Sequence, residues 1–414
     1  MAIAGSKRCA RPLKQSVWHE HRSEARPMNI DTTPITLIGH PWAPIGMGEQ
    51  LRSHIAALSA LHMHHRVFDI YRYAQRTDTA HDAIIGDREI RDLPGGIRIF
   101  HINGDEVGPV LAAFAARGGV FEDGRNIIIP AWELPEYPAV WADDLKRFDE
   151  VWAMSTFVQS SLRAAGIESR LIGQSVQPLP GPTLPRRHFG IRESAFVLLN
   201  FFDLSSYASR KNPEAVLALF ERIRRDDPYA DVQLVLKAKE GERGAEAWAR
   251  EWASTHGGSG QMLVLDRPMD TLSVRSLISA CDCFVSLHRA EGFGRGLGEA
   301  MALGRLVLGT NWSGNTDFLN PDNGLAVAHS MVALKEGDYP YWQGQSWAEP
   351  DVNDAYRLLK PVLADPTRGR ALALKGQASV LQSHGNRAVG LRMLERLEAL
   401  IVPPSQTPRS TPSP

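Results

Sequence analysis

The chain has 414 residues, of which 43% are hydrophobic and 22% charged, a composition ordinary for a globular protein of two or three domains. Its formal net charge of -1 excludes an overall field that attracts nucleic acid or an anionic membrane, which leaves only a local basic patch. No uninterrupted apolar stretch approaches the roughly 20 residues that span a bilayer. We therefore expect a cytoplasmic protein, with the inner face of the membrane as an alternative location.

Both ends of the sequence differ in composition from the part between them. Residues 1–33 carry scattered basic side chains but no apolar signal-peptide core, and predict a disordered leader in which Met28 is an alternative start. Residues 403–414 are rich in proline, serine and threonine and predict a disordered tail.

From residue 35 onward, short β-rich apolar runs alternate with longer amphipathic ones, which is typical of parallel α/β layers. In the first half this pattern predicts strands at residues 35–39, 66–70, 97–102, 126–129 and 150–153, and helices at 48–61 and 155–165. Ser155 is the expected N-cap of the second helix.

Residues 178–185 contain four prolines and a glycine, so they predict an interdomain linker rather than a helix or a central strand. A second series follows, with strands at 195–201, 232–236, 262–265 and 282–287, helices at 213–225, 242–254 and 271–280, and final helices at about 352–401. Two α/β halves favour a ligand cleft between them, because open sheets bind ligands beyond the carboxyl ends of their strands.

The three cysteines lack the spacing and partners of a zinc site or a structural disulfide. Cys281 and Cys283 lie two residues apart near the strand predicted at 282–287, where we expect them to share one face, and Cys9 lies in the leader. We interpret the pair as small buried hydrophobic residues in a reducing compartment.

The most informative segment is residues 286–304, a glycine-rich turn between a strand and a helix. Free backbone N–H groups and the helix dipole at such a turn favour an anion such as a diphosphate. Glu291 in the turn and Glu299 in the helix are suited to accept hydrogen bonds from sugar and ribose hydroxyls. The dinucleotide fingerprint G-x-G-x-x-G fails, because Leu297 and Glu299 occupy its third glycine position in the two registers. A plain packing turn is the alternative.

Glu291-x7-Glu299, with its Glu-Gly-Phe-Gly and Glu-Ala-Met-Ala-x-Gly blocks, resembles the signature of glycosyltransferase family 4, retaining group 1 glycosyl transferases of the GT-B fold. The resemblance covers residues 35–401 and implies an α/β protein of two Rossmann-like domains with an interdomain cleft. It implies an acceptor domain at 34–180, a nucleotide-sugar donor domain at 181–385 and a C-terminal helix at 386–402.

The same resemblance implies roles for residues of the motif. Glu291 is expected against the hydroxyls of the donor sugar, and Glu299 on the ribose. The diphosphate is expected on the backbone of Gly292, Phe293 and Gly294.

A second block, residues 201–213, follows the first strand of the second half, where the family typically has an arginine and a lysine that neutralise the leaving diphosphate. Lys211 fits the lysine. Phe202 and Asp203 occupy the place of the arginine, and Arg210 is its candidate substitute. The alternative, a solvated basic pair, is unfavourable because cations are destabilised at a helix N-terminus.

In the first half, residues 40–49 resemble the family's N-terminal glycine loop, in which Gly46 and Gly48 let the backbone approach the diphosphate. A plain turn is the alternative. Residues 311–317 correspond to a donor-side loop of the family.

Two further polar clusters follow predicted strands and supply candidate acceptor or sugar contacts. His101 and Asp105 lie after the third strand, where many family members have a functional histidine, although a structural histidine fits equally well. Glu133 lies in a W-E-L-P-x-Y-P block seen in one subgroup of bacterial family members, or in an ordered loop.

His62, His64 and His65 have no carboxylate or cysteine set near them, so we interpret them as a solvated helix end rather than a metal site. With Arg52 and Arg66 they are a candidate contact to anionic lipid. No D-x-D motif is placed to hold a metal, and we expect neither a metal nor a bound cofactor.

The sequence therefore predicts a retaining hexosyltransferase that moves a sugar from a nucleotide-diphosphate sugar, its co-substrate, to a glycan or lipid-linked acceptor in bacterial polysaccharide assembly. Peripheral membrane contact is compatible with this reading, and nucleic acid is not an expected partner. The alternatives are a sugar phosphorylase or nucleotide-sugar epimerase on the same fold, and a non-catalytic protein that binds nucleotide sugars or glycans.

Overall fold

The structure, a computed structural model, describes residues 30, 32–74, 76, 78–203, 207–239, 247 and 261–401. The predicted leader apart from residues 30, 32 and 33, the predicted tail, and the helix predicted at 242–254 apart from residue 247 lie outside the described residues.

The first lobe is a six-stranded parallel sheet in the order β2-β1-β3-β4-β5-β6. Its strands are β1 (Ile35–Gly39), β2 (Arg66–Asp69), β3 (Gly96–Phe100), β4 (Gly124–Ile128), β5 (Glu150–Ala153) and β6 (Arg170–Leu171). Its helices are α1 (Gly46–Ser59), α2 (Thr79–Ile85), α3 (Val107–Ala116), α4 (Ala139–Leu145) and α5 (Thr156–Ala164). All five strands predicted here are confirmed, as is the Ser155 cap, whose side chain accepts a hydrogen bond from the N–H of Val158.

The second lobe is a parallel sheet of six described strands in the order β12-β11-β10-β7-β8-β9, with a small antiparallel hairpin, β13–β14, beyond it. Its strands are β7 (Phe196–Asp203), β8 (Val232–Lys239), β9 (Met262–Asp266), β10 (Cys283–Ser286), β11 (Leu306–Thr310), β12 (Leu325–Val327), β13 (His329–Ala333) and β14 (Ser346–Pro350). The described α-helices that follow the first lobe are α6 (Arg186–Phe189), α7 (Ala208–Lys211), α8 (Pro213–Asp226), α9 (Thr271–Ala280), α10 (Arg295–Ala302), α11 (Val352–Ala364), α12 (Pro366–His384) and α13 (Asn386–Ile401).

Helices cover both faces of each sheet, so the strands are apolar on both sides. In β1, Leu37 packs in one core cluster and Ile38 in another, because successive side chains of a strand point to opposite faces. Within the described part of the chain, no helix combines the length and the apolar character that a membrane crossing requires.

The two cysteines of the second lobe are buried free thiols, and burial raises the pKa of Cys281 to about 12. The expectation that they share one strand face is wrong. Cys281 is the C-cap residue that follows α9 and packs in one cluster, whereas Cys283 begins β10 and packs in another.

Two segments connect the lobes, and they lie side by side. The first is the proline-rich stretch that includes residues 178–185, which contains neither helix nor strand. The second is the junction of α12 and α13. The N–H of Val176 donates to the carbonyl of His384 over 3.0 Å, and Ser175 Oγ donates to Asn386 Oδ1 over 2.5 Å. The chain therefore crosses between the lobes twice at one place.

The last helix, α13, returns to the first lobe. Its Val389, Met393 and Leu397 are fully buried in the cluster that also contains Leu51 and Ile55 of α1. The final helix is therefore part of the core of the first lobe.

We expect Met393→Ala to lower the free energy of unfolding by about 2–5 kcal/mol, because it leaves a cavity between α13 and α1. Leu391→Ala is the matched control on the same helix, since that side chain is 47% exposed. Urea unfolding of both variants tests this, and equal small losses would contradict the packing of α13 on the first lobe.

Candidate active site between the lobes

The glycine-rich turn and the basic block meet at the carboxyl edge of the second sheet. Strand β10 lies between β7 and β11, so the loops that follow these three strands are neighbours. The segment after β7 carries Arg210 and Lys211, and the loop after β10 carries Glu291. The loop after β11 contains residues 311–317. The sequence places these residues far apart, and the strand order brings them together at the edge where open sheets bind ligands.

Glu291 is the centre of an ion-pair cluster. Its side chain is buried, Lys211 Nζ contacts its Oε1, and Arg210 Nη1 lies 3.2 Å from its Oε2. Burial alone would raise the pKa of Glu291, but Lys211, Arg210 and His288 lower it to about 2. Glu291 is therefore ionised at neutral pH and can only accept hydrogen bonds.

The backbone of Glu291 is fixed by the loop after β11. Its N–H donates to Ser313 Oγ over 2.9 Å, and its carbonyl accepts from the N–H of Gly314 over 2.9 Å. Ser313 has a φ of +71°, which is uncommon for a residue with a side chain and clusters at functional sites. His288 Nε2 lies 2.9 Å from Asn315 Oδ1, and burial lowers the pKa of this histidine. The turn and the loop thus form one hydrogen-bonded unit.

Arg210 links this unit to the first lobe. The Arg210 side chain is 7% exposed and its Nη1 donates to the carbonyl of Ala290 over 3.0 Å. Its Nη2 lies 4.0 Å from Oε1 of Glu133, whose Oε2 accepts from the hydroxyl of Tyr339 over 2.6 Å. Burial lowers the pKa of Arg210, but the two carboxylates outweigh burial and raise it. The predicted acceptor residue Glu133 and the predicted catalytic residues therefore share one network.

The glycine turn itself lies against both lobes. Gly294 has a φ of +84° and precedes the first residue of α10, a conformation that favours glycine. The carbonyl of Gly292 accepts from Ser155 Oγ of the first lobe over 2.5 Å. The Phe293 ring is buried, 5.3 Å from Phe318 between ring centroids. The Phe293 side chain is thus turned away, so an anion would meet the backbone of this turn, and the start of a helix favours such a ligand.

Glu299 faces the cleft one turn further along α10. Arg295 Nε lies 2.8 Å from its Oε1, and the Glu299 side chain is 24% exposed. Burial raises the pKa of Glu299, Arg295 lowers it and Glu49 of the first lobe raises it again. Glu49 in turn is 2.6 Å from Arg52. The first turn of α1 therefore faces α10 across the cleft.

The two glycines of the first-lobe loop differ in their surroundings. Gly46 is exposed, and no other heavy atom lies within 4 Å of the place where a Cβ would be. A Cβ on Gly48 would lie 2.3 Å from the carbonyl oxygen of Ala43. Gly48 thus permits the loop to pack on itself, and the open position is that of Gly46.

His101 does not reach open space. It is fully buried, its Nε2 lies 2.9 Å from His54 Nδ1, and burial lowers its pKa well below the ordinary value. His54 Nε2 lies 2.9 Å from the carbonyl oxygen of Gly173, and burial lowers its pKa to about 4. This geometry favours the structural histidine. Asp105, in contrast, is exposed.

The basic set that was a candidate lipid contact is not one surface. Arg52 is 2% exposed and its Nη1 donates to the carbonyl oxygen of Pro41 over 2.6 Å, and His65 is 7% exposed. Arg52 and His65 therefore face the protein interior, and their part in that hypothesis is wrong. Among the described residues, no three histidine, cysteine or acidic side chains are grouped to hold a metal.

Sequence reasoning missed Tyr339, and it did not assign His288, Ser313 or Asn315 individually. Ser313 and Asn315 lie in the predicted donor-side loop, so only their partners were unknown. Tyr339 lies 206 residues from Glu133, its hydrogen-bond partner. The one signal for it was a run of aromatic residues between two short polar segments.

Residues 199–336 match the family model described as glycosyl transferases group 1. The match covers one third of the chain, and the chain is a glycosyltransferase. No curated protein matches the chain in sequence. The matched segment contains the glycine turn, both basic residues and the loop after β11.

Solved structures share the whole two-lobed architecture. HepE of Anabaena, in complex with UDP and glucose, superposes with a TM-score of 0.61 at 14% identity, over 89% of this chain and 100% of that one. Sucrose-phosphate synthase of Thermosynechococcus elongatus gives 0.64 at 16%, over 89% and 99%. The pneumococcal O-GlcNAc transferase GtfA, in complex with UDP and GlcNAc, gives 0.61 at 10%, over 90% and 99%. The predicted GT-B fold is confirmed.

The ion pairs of Glu291 make stability depend on pH. Its pKa of about 2 in the folded protein lies below the unfolded value of about 4.3. The contribution is therefore complete above pH of about 5 and is lost as the pH falls toward about 2, because the unfolded state takes up the proton first.

We therefore expect the stability advantage of the wild type over Glu291→Gln to shrink between pH 6 and pH 3.5. Urea unfolding at several pH values measures it. Glu336→Gln, at an exposed position of the same lobe, is the control. A difference that stays constant over this range would contradict the ion-pair cluster.

Proposed function

We propose that this glycosyltransferase is a retaining enzyme of family 4 that transfers a hexose from a nucleotide-diphosphate sugar to a glycan or lipid-linked acceptor, in bacterial polysaccharide assembly. The observation that carries the proposal is the buried, ionised Glu291, held between Lys211 and Arg210 directly before the glycine turn. Such a carboxylate suits the hydroxyls of a donor sugar, and the turn beside it suits a diphosphate.

In the proposed reaction, the bond from the anomeric carbon of the sugar to the diphosphate oxygen breaks, and a bond to the acceptor hydroxyl oxygen forms. The hydroxyl proton leaves to the departing diphosphate and from there to solvent. Negative charge grows on the diphosphate, so cations and backbone N–H groups fixed beside it lower the barrier. Contact between the lobes keeps water out of the cleft.

The two cations differ in what they can do. The Lys211 side chain is 26% exposed, whereas that of Arg210 is 7% exposed and already bound to Ala290, Glu291 and Glu133. Lys211 can therefore turn from Glu291 to a diphosphate, while Arg210 stays and keeps Glu291 ionised. We assign neutralisation of the leaving diphosphate to Lys211. To Arg210, the candidate substitute for the family's missing arginine, we assign the positioning of Glu291.

The nucleotide is proposed to lie between the first turn of α1 and α10. Gly46 leaves room for it, and Glu299 is the proposed partner of the ribose hydroxyls. Arg295, which pairs with Glu299, also donates to the carbonyl of Ser175 over 3.0 Å, so it keeps a partner when Glu299 binds ribose. The UDP complexes of HepE and GtfA support the choice of UDP as the first nucleotide to test.

We expect UDP, or another nucleoside diphosphate, to raise the melting temperature of the protein. Saturation at a hundred times the dissociation constant corresponds to about 2.7 kcal/mol of added stability. Glu299→Ala is expected to lower the affinity for this nucleotide about tenfold, which is about 1.4 kcal/mol of binding free energy. Glu398→Ala, an exposed glutamate on α13, is the control. Stabilisation by inorganic phosphate and by no nucleotide would point to a phosphorylase.

We expect Lys211→Ala to lower kcat by about 100- to 1000-fold, because charge on the leaving diphosphate is no longer neutralised. The rate is measured as release of the nucleoside diphosphate from the corresponding nucleotide sugar, the one whose nucleotide stabilises the protein. Water or a sugar serves as the acceptor. Lys146→Ala, on the exposed surface of the first lobe, is the control. Undiminished turnover in Lys211→Ala would contradict the role of Lys211 in neutralising the leaving group. Separately, NMR of the product shows its anomeric configuration, and inversion would reject the retaining assignment.

A further inference from the structure

Six aromatic side chains from the two lobes meet beside Glu133. Across the cleft, the ring centroids of Trp132 and Tyr339 are 5.7 Å apart, and those of Trp141 and Tyr341 are 4.9 Å apart. We call this cluster the aromatic platform; its members are Trp132, Tyr137, Trp141, Tyr207, Tyr339 and Tyr341. Tyr339 borders the ion-pair cluster, since the Arg210 guanidinium lies 5.9 Å from its ring centroid, and the proposed nucleotide position uses none of these rings.

The platform has a buried side and an open side. Trp132 and Tyr137 are each 3% exposed and anchor it, whereas Tyr207 is 45% and Tyr341 42% exposed. Both exposed tyrosines have a positive φ, +58° and +54°, which costs free energy for a bulky residue and is concentrated at functional sites. The backbone thus presents two large apolar rings to solvent at an energetic disadvantage.

The loop that carries Tyr339 and Tyr341 is held against the first lobe. Gln345 Oε1 accepts from the N–H of Glu136 over 2.9 Å, and its Nε2 donates to the carbonyls of Glu136 and Tyr341, each over 3.1 Å. The segment that carries Tyr341 is therefore held in place, and the platform is complete only while the lobes are in contact.

Two carboxylates lie near the rings. Glu133 accepts from the hydroxyl of Tyr339, and the charge of exposed Asp105 adds to burial in raising the pKa of Tyr137. A neutral sugar ring fits, because its C–H face can lie on an aromatic ring while its hydroxyls donate to carboxylates.

The platform is continuous with the ion-pair cluster. Glu133 Oε1 lies 4.0 Å from Arg210, which in turn lies 3.2 Å from Glu291. We infer that the aromatic platform is an acceptor subsite for carbohydrate, in which a pyranose ring stacks on Tyr341 beside Trp141 and a hydroxyl donates to Glu133. This inference rests on the proposed function and narrows its acceptor to a glycan whose sugar ring is itself recognised.

The test uses the full chain with saturating UDP, and methyl α- and β-glycosides of glucose, galactose, mannose and N-acetylglucosamine as probes. Saturation-transfer NMR measures their affinities. We expect at least one glycoside to bind, and Tyr341→Ala to weaken it about tenfold or more, which is about 1.4 kcal/mol. Tyr341→Phe, which keeps the ring, is expected to stay within about twofold of the wild type. Tyr229→Ala, a 95% exposed tyrosine elsewhere on the second lobe, is the control.

Two outcomes overturn the inference. The first is that no glycoside binds the wild type, or that Tyr341→Ala binds as well as Tyr341→Phe. The second is that the wild type is a dimer in sedimentation and Tyr341→Ala a monomer, which would make the platform a contact between two copies. UDP binding and turnover in the wild type separate these from failure of the proposed function, because both persist if only the platform is wrong.

Discussion

The buried charge of Glu291 is the interaction on which the arrangement of the cleft depends. A carboxylate taken out of water requires cations or hydrogen-bond donors close by, and here Arg210 and Lys211 of α7 supply them. Satisfying this one group fixes Arg210, and Arg210 in turn attracts Glu133 of the other lobe. A local electrostatic requirement thereby becomes a contact between two domains.

Neighbouring residues of the same type have different surroundings in this cleft. Arg210 and Lys211 are adjacent in sequence, yet one is enclosed by acceptors and the other keeps an open side. Gly46 and Gly48 differ in the same way, since one borders open space and the other borders its own loop. In each pair, the fold leaves one residue available to a ligand and commits its neighbour to supporting the site.

Much of the fold followed from periodicity, because buried parallel strands are continuous apolar runs. Helix α3 was missed because Val107–Ala116 is apolar all round and contains a glycine and a proline near its start. The glycine turn and Lys211 could be found because their spacing is local. The contact of Tyr339 with Glu133 could not, since it depends on how two lobes pack. Burial likewise decides the environment of His101, and a sequence does not state burial.

The double crossing between the lobes has a mechanical consequence. The two connecting segments are hydrogen-bonded side by side, at Val176 with His384 and at Ser175 with Asn386, and together they form a hinge region. We expect such a paired connection to restrict sliding and twisting between the lobes more than rotation about the connection. If the cleft opens to exchange substrates, such a hinge would bring Glu133 and Tyr339 back to the same relative position each time it closes. A single cut within 178–185 would leave the halves tethered by the second segment.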